Sequence, residues 1–397
     1  MNNLFNTIIS SYSTPSYVFD IGELTEWIRK IRSILSDDIT LCYAMKANPF
    51  LTKTMSELTD RLEVCSPGEY EICIRNNIDP EKIVVSGVNK TEESMKRIMT
   101  YSKGAGIYTI ESPLQYEILK SVSISHTIRL QVLLRLSNGN QFGMDEALLI
   151  ELLNKIQTDN IMDIKGIHFY GGTQKNSRKM KHELEILKGL GARINKEYNL
   201  NNMELEYGPG LYVNYFTDND DGEKTEQLKE LSDLLTEMSA YSHITIELGR
   251  FLTAYCGYYI TRVMDKKKTK DINYLIVDGG IHQISYYGQM LGMKKPYIEH
   301  FTNGSDKTSN DRQNTDKSEY TICGSLCTAN DVLVKQYELS DVNIGDILIF
   351  ERCGAYSVTE AMALFLSREL PQILLITPDD QICILRESME TYLLNSY

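Results

Sequence analysis

The chain has 397 residues, more than one ordinary hydrophobic core accommodates, and fits two domains or one large barrel with an appendage. Hydrophobic residues at 42% and charged residues at 24% exclude the disordered and fibrous classes. A formal charge of -13 argues against nucleic acid and anionic membranes as partners, since both reward basic patches.

No basic-then-apolar leader and no apolar run near 18 residues occurs, so the cytoplasm is the expected location. The cysteines at 42, 65, 73, 256, 323, 327, 353 and 383 form no CxxC pair, which suits free thiols rather than a disulfide frame or a zinc site. From about Tyr17 to Gly249, apolar runs alternate with amphipathic stretches. Strands are predicted at 40–44, 63–65, 83–86, 107–109, 130–134, 164–169, 204–207 and 245–247, with helices between them at 25–35, 49–59, 67–76, 92–101 and 112–121. Eight strands alternating with helices predict a (β/α)8 TIM-like barrel over 25–250, whose active site gathers at the C-terminal strand ends. Lys46, Ser66, Gly87, Glu111, Arg135, Tyr170, Gly208, Glu247 and Arg250 all fall there.

Beyond residue 250 the runs turn β-branched and aromatic, at 258–264, 274–277, 320–322, 347–350, 372–376 and 381–384. They predict a C-terminal all-β domain over 251–397, joined by residues 1–24. The apolar-free stretch 302–318 reads as a mobile surface loop.

The segment I-T-L-C-Y-A-M-K-A-N-P-F, residues 39–50, ends an apolar strand on Lys46, among Tyr43, Met45 and Ala47. Partial burial makes a lysine a usable imine nucleophile, whereas an arbitrary edge-strand lysine snorkels to water. Three glycine-bearing loops follow late strands: Gly171-Gly172-Thr173, Gly208-Pro209-Gly210 and Glu247-Leu248-Gly249-Arg250. Each alone is a steric convenience of a tight turn. Together, beside an imine lysine, they point to a phosphorylated aldehyde cofactor, pyridoxal 5'-phosphate, with Glu247 placed to partner the pyridine nitrogen or to pair with Arg250.

Ordered motifs extend this reading: Y-A-M-K-A-N, E-V-C-S-P-G-E, S-G-V-N-K, Q-F-G-M-D, G-I-H-F-Y-G-G-T-Q, E-L-G-R, D-G-G, C-T-A-N-D and G-A-Y. In that order the chain resembles the fold-type III pyridoxal-phosphate decarboxylases, the family of diaminopimelate and ornithine decarboxylases. The resemblance implies that Lys46 holds the cofactor as an imine, Glu247 contacts the ring nitrogen, and Thr173, Gly208, Gly210, Gly249, Arg250 and Tyr356 surround the phosphate. It implies that Cys327 donates the proton that replaces carbon dioxide, that Asp331 and Thr328 face the substrate, and that two copies form a homodimer with shared sites.

Tyr170 stands where the family places a ring-stacking histidine, and Thr328 where diaminopimelate decarboxylases carry a glutamate. The R-P-x-L-Y string is replaced by I-S-Y-Y-G-Q-M over 284–290, and Pro209 removes one N–H from the glycine triplet. These departures resemble secondary-metabolite decarboxylases acting on carrier-linked or conjugated amino acids, and make diaminopimelate an unexpected substrate. The alternatives are an amino-acid racemase on the same fold and a non-catalytic binding homologue.

Overall fold

The computed structural model describes residues 2–200, 202–217, 223–286, 292–302 and 317–397. In chain order its strands are β1 (Ser16–Asp20), β2 (Ile39–Ala44), β3 (Arg61–Val64), β4 (Ile83–Val85), β5 (Ile107–Ile110), β6 (Leu130–Leu136), β7 (Met162–Tyr170), β8 (Glu204–Gly208) and β9 (His243–Leu248). They continue with β10 (Gly257–Thr269), β11 (Ile272–Val277), β12 (Ile298–Phe301), β13 (Lys317–Cys323), β14 (Val332–Ser340), β15 (Ile347–Phe350), β16 (Gln372–Ile376) and β17 (Ile382–Arg386). Contacts divide the chain into two units: Trp27–Val213 with Asp221–Leu252, and Met1–Glu26 with Asn214–Asp220 and Thr253–Tyr397.

In the first unit β2 to β9 close into a parallel barrel, each strand beside its sequence neighbours and β9 beside β2. The barrel predicted from the alternation is present. Its loops show why the chain alternates so cleanly. At the C-terminal ends of the strands, side chains accept from backbone amides to start the helices. Ser66 accepts from Glu69 N, Asp145 from Leu148 N and Asn176 from Lys179 N. Asn160 and Asn199 then end two helices in the left-handed conformation, which asparagine tolerates better than most residues.

Strand alternation sends part of each strand inward. Cys42, Val84, Ile107 and Leu133, from β2, β4, β5 and β6, form an apolar cluster. On the other side a polar ladder begins: Arg61 pairs with Glu204, which also accepts from Thr245 Oγ1 at 2.6 Å.

In the second unit a nine-stranded sheet runs β14-β13-β11-β10-β1-β16-β17, with β15 paired to β10 and β12. The N-terminal strand β1 lies antiparallel to β10 (Ser16 opposite Ile260) and parallel to β16 (Ser16 opposite Gln372). Phe5, Ile8, Val18, Tyr258, Ile260, Ile347 and Leu374 share its core. The six strands predicted here are present, and β1, β12 and β14 join them. β14 reads V-L-V-K-Q-Y-E-L-S, whose polar interruptions hid it. The mobile loop predicted for 302–318 falls largely on 303–316, outside the described residues, and its last two residues begin β13. All eight cysteines are free. Among the described residues no helix is long and apolar enough to cross a membrane.

Burial pushes the Glu204 carboxyl up, but its bonds with Arg61 and Thr245 outweigh this and hold it below its ordinary value. A carboxyl lowered on folding stabilises the fold above its unfolded pKa, and that contribution fades as pH falls through the folded value. Arg61→Met should therefore cost about 3–5 kcal/mol near neutral pH, the penalty of a buried charge stripped of its partner. In urea titrations the gap from the parent should narrow as pH falls through the lowered folded value of Glu204, where its charge and its bond to Arg61 are lost.

Candidate active site

β2 ends at Ala44, and Lys46 lies on the single 3-10 turn Met45–Ala47 just beyond it. Its neighbours come from the two strands that flank β2. Ala44 pairs with Glu63 on β3, and Cys42 pairs with Glu247 on β9. Lys46 Nζ accordingly donates to Glu63 Oε2 at 2.6 Å and Glu247 Oε1 at 3.3 Å, with Cys65 Sγ at 3.7 Å. The lysine side chain is 35% exposed and the two carboxylates 2% and 4%. The expected apolar setting is thus corrected: the amine sits in an ionic pocket with a path to solvent.

Glu247 uses its second oxygen to meet His168 Nε2 at 3.0 Å. Burial raises the carboxyl, but the Lys46 charge and the His168 hydrogen bond prevail and hold it well below the usual carboxylate range. Deeper on the same wall, Glu206 is fully buried, and neither of its oxygens has a hydrogen-bond partner. One ligand atom each of His168, Glu206 and Glu247 lies within 4.8 Å of the others. Burial, then the charge of Glu247, pushes the Glu206 carboxyl far up. On this floor the two carboxyls are thus pushed in opposite directions.

The strands after β6 supply the rest of this half of the rim. β7, β8, β9 and β2 are consecutive neighbours, so the loops at 171–173, 208–210 and 249–250 stand side by side next to Lys46. Gly210 has φ +60°, and a Cβ there would lie 2.0 Å from Gly172 O. A Cβ on Gly208 would lie 2.4 Å from the Tyr170 ring. The two loops are therefore in backbone contact, with Tyr170 laid over Gly208 and joined to Thr173 by a side-chain hydrogen bond. Burial, then Glu247, raises the Tyr170 phenol, which stays protonated. Gly249 packs against Ala44 and Ala47, and Arg250 opens the short helix Arg250–Thr253.

An amine flanked by an anionic carboxylate, beside close-packed glycine backbone, fits pyridoxal phosphate. The amine suits its aldehyde, Glu247 its ring nitrogen and the loops its phosphate. On the opposite rim, Glu111 pairs with Arg135 at 3.1 Å. Lys90, lowered to about 8 by burial, donates to Gly87 O, Thr109 Oγ1 and Gln115 Oε1. Those groups satisfy one another.

The remaining expected site residues lie in the second unit. Cys327 is exposed on the turn after β13, with Thr328 half-buried beside it. Tyr356 holds φ +65°, a left-handed position uncommon for a tyrosine, and its carbonyl accepts from Thr359 N and Glu360 N. Asp331 is 2% exposed, and its oxygens accept from Ile281 N at 2.9 Å and Leu326 N at 2.7 Å. Through those bonds Asp331 braces the loop that carries Cys327.

Glu63, Cys65, His168 and Glu206 complete the Lys46 surroundings and were not assigned from sequence. Charged residues inside barrel strands were the available signal. His168 and Tyr170, or Glu204, Glu206 and Gly208, share a strand face at period two. Asp331→Ala should cost about 2–3 kcal/mol in thermal or urea unfolding by stranding two amides. Native stability with weakened substrate affinity would instead return Asp331 to the substrate.

Comparison with known proteins shows the family and the fold. The family model for the pyridoxal-binding domain of pyridoxal-dependent decarboxylases matches residues 21–254. A Niallia circulans decarboxylase of the L-glutamyl group on the BtrI acyl-carrier protein is 26% identical, covering 91% of this chain and 88% of its own. The Staphylococcus aureus decarboxylase of 2-((L-alanin-3-ylcarbamoyl)methyl)-2-hydroxybutanedioate is 24% identical, covering 92% and 95%. Diaminopimelate decarboxylase from M. jannaschii, solved with L-lysine, superimposes with a TM-score of 0.82 at 19% identity, covering 97% and 92%. With its family model spanning more than half the sequence and its barrel wall built around Lys46, the chain belongs to the pyridoxal-dependent decarboxylases.

Proposed function

We propose that the protein removes the α-carboxylate of an amino acid that is conjugated to a larger group or linked to a carrier protein. The observation that carries the reading is the Lys46–Glu247–His168 arrangement beside the paired glycine loops. The substrate class is supported by the Niallia and Staphylococcus relatives, whose substrates both bear an appended group. It is supported too by Thr328 at the position where a distal-binding glutamate would stand. The I-S-Y-Y-G-Q-M stretch falls partly on 287–291, outside the described residues.

Bound pyridoxal phosphate supplies an electron sink for the pair released as carbon dioxide leaves. The protein's own groups do the rest. Lys46 would hold the cofactor through its aldehyde, with its Nζ kept beside Glu63 and Glu247. Glu247, held anionic, would partner the ring nitrogen and favour its protonated form, while His168 fixes the carboxylate's orientation. Tyr170, laid over Gly208, would cover one face of the ring. Thr173, Gly208, Gly210, Gly249, Arg250 and Tyr356 are the residues that would hold the phosphate. Cys327, exposed on its loop, enters the site of a second copy in a homodimer and delivers a proton to the α-carbon. A racemase would leave the carboxylate in place, and the relatives named above are decarboxylases.

Borohydride reduction of the purified protein should fix a pyridoxyl group on Lys46, found by peptide mass, and Lys46→Ala should carry none. A label on another lysine would sink the assignment. Carbon dioxide release should be greater from carrier-linked or conjugated amino acids than from free diaminopimelate. The opposite ranking would overturn the substrate reading. Cys327→Ala should keep the label and lose turnover roughly 100-fold, the usual scale of a general acid. Unchanged turnover would remove Cys327 from the mechanism.

A further inference from the structure

Behind the two glycine loops lies a buried ion pair that no step above uses. Lys175 is 3% exposed and sits two residues beyond Thr173. Its backbone N–H donates to Gly210 O at 2.9 Å, while its Nζ donates to Gly208 O at 3.0 Å. One residue thereby grips both carbonyls that flank Pro209. The same Nζ meets Glu183 Oε2 at 2.6 Å, on the helix Ser177–Tyr198, and that oxygen also accepts from Tyr207 OH at 2.8 Å. The grip is tight, since a Cβ on Gly210 would stand 2.9 Å from Lys175 Cε.

The pair's chemistry argues for position rather than stability. Two charges taken out of water recover little net energy, and apolar replacements of similar volume are often as stable. Nor does Lys175 act as a bare cation toward an anion, because Glu183 neutralises it at contact distance. Its particular capability is to fix the peptide planes at 208–210 against the loop at 171–173. Pro209 has already removed one donor there, so the remaining amides gain in consequence.

We propose that Lys175 and Glu183 are positioning residues that preset the two glycine loops for the cofactor's phosphate, and so set the preference for pyridoxal phosphate over pyridoxal. The proposal rests on the reading that these loops hold the phosphate. The test is equilibrium binding of both compounds to cofactor-stripped protein, followed by absorbance, with thermal unfolding alongside. Wild type should bind pyridoxal phosphate more tightly than pyridoxal. Equal affinities in wild type would refute the phosphate reading itself.

Lys175→Met strands a buried carboxylate and is expected to lower the melting temperature, so the informative variant is Lys175→Met combined with Glu183→Leu. It should keep near-native unfolding and pyridoxal affinity, yet lose roughly tenfold or more in pyridoxal phosphate affinity, the scale of mispositioned charge-assisted hydrogen bonds. An unchanged preference, or an equal loss for both compounds, would overturn the proposal. If the double variant fails to fold, Tyr207→Phe loosens Glu183 without altering any loop atom. A reduced preference there supports the positioning role, and a wild-type preference rejects it.

Discussion

A lysine held between two nearly buried carboxylates is the constraint on which the catalytic half of the molecule turns. Lys46 reaches Glu63 and Glu247 because β2 lies between β3 and β9, and β9 lies beside β2 only once the barrel has closed. Buried carboxylates without a cation would be costly, and Glu247 remains ionised through the combined effect of Lys46 and His168. Closure and charge balance thus depend on each other. The interior below continues the pattern, with Arg61 and Glu204 paired at one level and the buried Glu206, its carboxyl pushed up, between.

Placing charge inside a barrel makes each residue's partner matter more than its own identity. Glu206 and Glu247 stand on adjacent strands, yet burial and neighbours push their carboxyls in opposite directions. One is held as an anion by Lys46 and His168, and burial opposes charge on the other. The loops follow the same logic. Their glycine backbones pack in contact, and the proposed task of Lys175 and Glu183 is to keep them in register from behind.

The barrel strands were legible because parallel strands covered by helices read as short apolar runs, and each predicted run overlaps a strand of the barrel. β14 was not, because K-Q-Y-E interrupts its apolar pattern on an exposed stretch, and β1 was not singled out because its partners lie some 240 and 355 residues away. Lys46, Glu247 and Tyr170 were legible from motif and strand-end position. What Asp331 bonds was not legible: C-T-A-N-D suggested a substrate contact, and its bonds to the amides of Ile281 and Leu326 come from residues its motif does not show.

The sequence by itself determined the alternation that builds a barrel, the lysine at the end of β2, the glycine loops and the family resemblance. All of these are encoded within short windows, where period, turn chemistry and motif spacing are local properties. Only the tertiary structure decided which groups surround the lysine. Glu63, Cys65, His168 and Glu206 acquire meaning through pairing between strands, and Lys175 through three carbonyl and carboxylate oxygens set by separate segments. Distances of a few ångströms between residues far apart in sequence exist only after closure, and the charge state of each carboxyl follows from those distances.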